Sequence, residues 1–225
     1  MAKLLDRVAD AGGFLFVLLV GVGFAVLVAP FLPESLDSPE AVADHLAARP
    51  PTAALWAGVW LEAAGLAALV LLAARLAGRI RAVDPAGWVP SAVVGLAVAA
   101  FTVKIASFAP AMAALEPGRH DAGTVTALLG INYAAVDLAW ALDGAFVLLL
   151  GLGALDTRAL PRWLGAWTAG AGVAVLIGVA VPATFGLLQL VFLLWAPAAS
   201  GWLLLRGGRT PAGRQGEVTT ASPAR

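Results

Sequence analysis

Four ionisable residues lie inside long hydrophobic runs, where an apolar chain should not carry them: Glu62, Lys104, Asp137 and Asp143, with Asn132, Tyr133 and Gln189 as polar companions. Charged side chains are costly in a hydrocarbon layer, and where they occur they face a bundle interior and mark proton relays, ion paths or ligand sites. The chemistry open to this set is binding. Its acids can take a proton or a cation, its lysine can neutralise one acid, and its amides and phenol can hydrogen-bond a polar ligand. Catalysis has no comparable support: there is no zinc-type His and Glu helix motif, no serine elbow and no phosphate-cradling glycine loop. Asp137 and Asp143 do not make a glycosidase pair, since nothing in the sequence gives them a shared cleft. The chain is therefore not expected to be an enzyme, and no cofactor and no metal are expected. His45 and His120 fall in the connections between apolar runs, which argues against a haem held inside a bundle by paired histidines.

The two aspartates lie in one stretch, NYAAVDLAWALDGAF, from Asn132 to Phe146. Six residues turn a helix by about 240° net, so Asp137 and Asp143 occupy different faces, while Asn132 and Asp143, eleven apart, return to within about 20° of each other. Tyr133 and Asp137, at i and i+4, share the other polar face. Each central Asp costs about 2.5 to 3.5 kcal/mol on an insertion scale, and the fourteen Val, Ile, Leu and Phe residues of the whole apolar run, 124–155, return at most about 0.3 to 0.6 each. The run is marginal alone and needs partners inside a bundle. By depth, Lys104 can meet Asp137 or Glu62, which leaves Asp143 without an obvious cation. With three carboxylates against one lysine, Glu62 or Asp143 is expected to carry a proton at neutral pH unless a water-filled cavity or a bound cation relieves it.

The elements that must position these groups are membrane helices. The 225 residues are 61% hydrophobic and only 12% charged, against about half and a quarter in soluble domains. Six apolar runs reach the roughly 20 residues needed to cross a bilayer core: about 11–31, 53–74, 88–110, 124–155, 163–181 and 184–205. Short alternating barrel strands are absent from the pattern. The first run is longer than a signal-peptide core of about 7 to 15 residues, and Pro30 spoils the nearest cleavage point, so it is expected to be an uncleaved span. Ser38 and Pro39 open a short surface helix, about 38–49, closed by Pro50 and Pro51. With both termini cytoplasmic, eleven Lys and Arg residues fall on the inner side and two, Arg49 and Arg119, on the outer, as the retention of basic connections requires. The expected fold is thus an all-α, polytopic transmembrane bundle of six spans over 1–205, with a disordered cytoplasmic tail over 206–225.

Zero net charge argues against a nucleic-acid partner, and the absence of cysteine removes disulfide and thiol chemistry. Membrane lipids are the expected surroundings, and a small polar ligand or a proton the expected guest. Small residues recur at helical spacing in Gly13, Gly21, Ala25 and Ala29, and in Ala166, Gly170, Ala174 and Gly178. Such stripes let backbones approach closely. They are expected to be packing faces, and a homo-oligomer could use them too.

In the last third, ALPRWLGAWTAGAG followed by LLWAPAASGWLLLRG resembles uncharacterised bacterial membrane proteins, grouped as a domain of unknown function with about six spans. The resemblance rests on Pro161, Arg162, Trp163, Leu164 and Gly165, and on Gly201, Trp202, Leu203 and Arg206. It implies a multi-pass protein of the bacterial cytoplasmic membrane and carries no activity. Transport or ligand binding at a polar intramembrane site is the leading functional expectation. A structural or regulatory protein acting through a partner, its buried charges serving helix packing only, is the alternative.

Overall fold

The computed structural model describes residues 2–33, 35–116 and 119–206, and every regular element among them is helical. In chain order these are α1 (Ala2–Asp10), α2 (Gly12–Val20), α3 (Pro39–Ala47), α4 (Ala53–Val83), α5 (Val89–Ala114), α6 (Ala122–Thr157), α7 (Arg162–Ala180) and α8 (Phe185–Arg206). α2 runs on through a π-helical stretch, Gly21–Val28, and a 3-10 turn, Ala29–Phe31, to complete the first span. Six helices are long and apolar enough to cross a membrane, at Gly12–Phe31, Ala53–Val83, Val89–Ala114, Ala122–Thr157, Arg162–Ala180 and Pro182–Leu205. The chain is a multi-pass helical membrane protein, with spans where hydropathy places them. The expected disordered tail lies outside the described residues beyond Arg206.

The spans form a closed ring in the order α2, α4, α5, α6, α7, α8 and back to α2. At the end of the bundle that carries α1 and the close of α8, Leu72, Leu76, Ile80, Phe146, Leu150, Leu164, Phe192 and Trp195 are fully buried and fill the ring. That end also gathers the arginines. Arg75 pairs with Asp10 at 2.8 Å and Asp6 at 3.1 Å, holding α1 to α4, while Arg79 lies over the Trp202 ring at 5.9 Å and Arg81 donates to Ser91 Oγ at 2.7 Å. α4 keeps its helix past residue 74 to Val83, and α5 passes through Pro110 to Ala114.

The far end is built differently. The Pro182–Thr184 turn joins α7 and α8 as an antiparallel hairpin whose tip reaches only to Trp140 of α6, where the Phe185 ring meets it edge-on at 5.8 Å. Residues Ala122–Ala139 of α6 therefore extend past the hairpin by about 27 Å at 1.5 Å per residue. Over that length α6 leans on α5 and on α3. Ser38 caps α3 by accepting from Ala41 N–H at 3.3 Å, and Val42 and Leu46 bury themselves against a second core of Leu55, Val59, Leu115, Val125 and Leu129. Of the two dispositions open to this helix, on the membrane or over the bundle, it takes the second and forms a roof.

One expected packing face is corrected. On α7, Ala166 and Gly170 face outward, and a side chain added at Gly170 would meet nothing within 4 Å, whereas Gly178 of the same row is buried against Phe185 and Leu188 of α8. The face that meets α6 is the opposite one: Gly172 sits against the Leu148 backbone, and Gly151 of α6 against Ala169. Both faces carry small residues, so periodicity could not distinguish them; the larger Leu164, Thr168 and Val175 on the inner side fix the rotation. On the first span, Gly13 does pack, against the Ala196 carbonyl, whereas Gly21 meets nothing.

Candidate functional site

Above the aromatic floor and below the α3 roof, the ring encloses a cavity of about 480 Å³, within the range of small-molecule sites. All seven polar residues singled out by sequence line it: Glu62 from α4, Lys104 from α5, Asn132, Tyr133, Asp137 and Asp143 from α6, and Gln189 from α8. Most of the remaining wall is aliphatic or aromatic.

The first span is shaped to make this wall. Gly23 and Gly58 cross in mutual contact: a Cβ on Gly23 would lie 2.6 Å from the Gly58 carbonyl oxygen, and one on Gly58 would lie 2.7 Å from that of Gly23. This close crossing presses the span onto α4 beside Glu62. The π-helical turn, closed by Ala29 N–H donating to the Phe24 carbonyl, sets Phe16, Val20, Phe24 and Val28 along the cavity. Wide turns of this kind recur at functional sites.

The polar residues divide into two groups. Lys104 Nζ pairs with Glu62 Oε1 at 3.2 Å and lies over the Phe24 ring at 5.8 Å. Of its two expected partners the lysine takes Glu62, which is 3% exposed. Asn132 Nδ2 donates to the Ser107 carbonyl at 2.8 Å and lies 3.2 Å from Ser107 Oγ, tying α6 to α5. Ser107 in turn donates its hydroxyl to the Lys104 carbonyl at 2.7 Å. Glu62, Lys104 and Asn132 thus hold one another's helices.

The second group is uncommitted. Asp143 is 8% exposed and, among the described residues, has neither a hydrogen bond nor an ion pair; Lys104 acts on it only through space. It sits low in the cavity, one helical turn from Trp140, whose ring meets Phe192 at 5.5 Å. Tyr133 and Gln189 are half-buried and likewise hold no hydrogen bond among the described residues. Asp137 is corrected in one respect. It borders the cavity but is exposed and unpaired among the described residues, because α6 at that height stands beyond the tip of the α7–α8 hairpin.

The cavity is accordingly open on one side. The first span packs on α8 through α2, yet its π-helical half leans on α4 and makes no more than marginal contact with α8. In the resulting gap the cavity-lining Phe24 is 37% exposed, Asp137 is exposed, and Gln189 is half-exposed. Sequence reasoning missed the aromatic walls, Phe24, Phe108, Trp140 and Phe185. The only signal was the i+4 row Phe16, Val20, Phe24 and Val28, indistinguishable in sequence from a lipid-facing stripe. The chain matches no family model, no curated protein and no solved structure.

Proposed function

We propose that this chain binds a small solute at the intramembrane cavity and moves it, or a proton in exchange for it, across the bacterial cytoplasmic membrane, with both termini inside. One observation carries the reading: a buried, uncommitted carboxylate, Asp143, faces a cavity of about 480 Å³ that has an opening at its side. A carboxylate serving helix packing alone would be expected to hold a partner, as Glu62 does. Transporters place their sites in such interiors, away from bulk water. Among the described residues, Lys3, Arg7, Arg75, Arg79, Arg81, Arg158, Arg162 and Arg206 lie at one end and support the orientation, through the preference of basic connections for the cytoplasmic side.

The alternative, buried charge serving assembly, is favoured for part of the set. Lys104, Glu62 and Asn132 are engaged with one another's helices and act as the frame of the site. Asp143, Tyr133, Gln189 and Asp137 are its binding groups. The test is Asp143→Asn in the full chain, reconstituted in liposomes with an internal pH dye and challenged with a panel of small solutes. The expected result is unchanged folding with loss of solute-dependent proton movement. Flux equal to that of the unsubstituted protein, or its absence from both, refutes the assignment.

A further inference from the structure

The charge and the shape of the cavity specify its guest more closely. The walls bring three carboxylates and one ammonium together, and Glu62 already neutralises Lys104 at 3.2 Å. What remains is acidic and without a basic partner among the described residues: Asp143 at the floor and Asp137 at the open side. An anionic guest would meet like charge at both ends of its path. A neutral polar guest brings no counter-charge and would leave the buried Asp143 to be neutralised by a proton. A cation satisfies it, and the rings around Asp143 suit a soft, poorly hydrated cation, since aromatic faces attract organic ammonium groups within about 6 Å of the ring centre.

The opening supplies the second half of the specification. It lies between the π-helical half of the first span and the tip of the α7–α8 hairpin, two segments that belong to runs apolar enough to cross a membrane. Its rim joins an apolar ring, Phe24, to an acid, Asp137, and an amide, Gln189. A molecule passing from the bilayer through such a rim needs an apolar body to leave the lipid with and a charged head for the acids.

We infer that the cavity takes an amphipathic organic cation, with its charged head at Asp143 against the aromatic floor and its apolar body toward the gap between Phe24 and Gln189. This rests on the reading of the cavity as a ligand site and names the class of ligand. The experiment uses the full chain in lipid nanodiscs and three molecules of matched shape: benzyltrimethylammonium, its uncharged isostere neopentylbenzene, and the benzylsulfonate anion. Thermal unfolding is followed against concentration of each. Benzyltrimethylammonium is expected to raise the melting temperature in a saturable way. The midpoint should weaken by about tenfold or more in Asp143→Asn, the loss that one charged contact of about 1.4 kcal/mol produces. Ala139→Phe, which fills the cavity from α6, should abolish the shift.

A neutral or anionic isostere that stabilises the protein as well as the cation does, with the shift removed by Ala139→Phe, overturns the cation assignment and leaves the ligand site standing. Shifts absent for all three molecules, or unchanged by Ala139→Phe, overturn both. The comparison of cation with neutral isostere needs only the unsubstituted protein, so a poorly folding Asp143→Asn would not remove the test.

Discussion

Replacing Lys104 by Met tests whether the frame of the site is an ion pair that helix packing depends on. At an effective permittivity of about 20, unit charges 3.2 Å apart attract by about 5 kcal/mol. The side chains are 14% and 4% exposed, so water screens them little, and removing one member of such a pair costs about 3 to 5 kcal/mol. Lys104→Met is expected at the upper end of that range, because it leaves Glu62, Asp143 and Asp137 around one cavity with no cation. Glu62→Gln should cost less, about 1 to 3 kcal/mol, since Lys104 keeps the Phe24 ring and the charge of Asp143. The double variant should return to within about 1 kcal/mol of the unsubstituted protein, giving a coupling of about 5 kcal/mol or more. Equilibrium unfolding in mixed micelles, with all four proteins under one set of conditions, measures each quantity. A Lys104→Met variant within about 0.5 kcal/mol of the parent, or a double variant no better than the single, refutes the reasoning.

Gly13→Ala places a methyl group against the Ala196 carbonyl and should destabilise by about 1 to 3 kcal/mol, read as a lowered melting temperature. Asn132→Leu removes the bridge to Ser107 and should cost about 1 to 3 kcal/mol in the same melt while leaving cation binding intact, which separates frame from binding group. Asp121 caps α6, and hydrogen bonds from the Thr124 N–H and then its hydroxyl hold its carboxyl below the ordinary 3.8. Because the folded value is the lower one, its contribution is complete above about pH 4 and is lost as pH falls through the folded value, so Asp121→Ala and the parent should differ near neutrality and converge in acid. A difference that persists undiminished at about pH 2 would contradict this. The chain has no cysteine, so Arg119→Cys and Arg158→Cys give clean single sites. Impermeant maleimide should reach position 158 only from the cytoplasmic side and position 119 only from the other, and the reverse pattern would invert the orientation.

The sequence by itself determined the spans, the even crossing number and the polar residues that border the cavity. These follow from one-dimensional quantities, the length of apolar runs and the transfer cost of each charge, and neither depends on which helix neighbours which. It also separated the two faces of α6: Asn132 and Asp143 are buried, and Tyr133 and Asp137 are less so. Four things depended on tertiary structure. The choice of Glu62 over Asp137 for Lys104 required the ring order, since both acids lie at a suitable depth. The exposure of Asp137 required the hairpin tip to stop at Trp140, a relation between α8 and α6 that no local pattern encodes. The inner face of α7 required knowing which of two small-residue rows meets Leu148, because glycine and alanine permit close approach without directing it. The cavity itself is the space left where the first span bends onto α4 at Gly23 and Gly58 and away from α8, and a void has no sequence of its own.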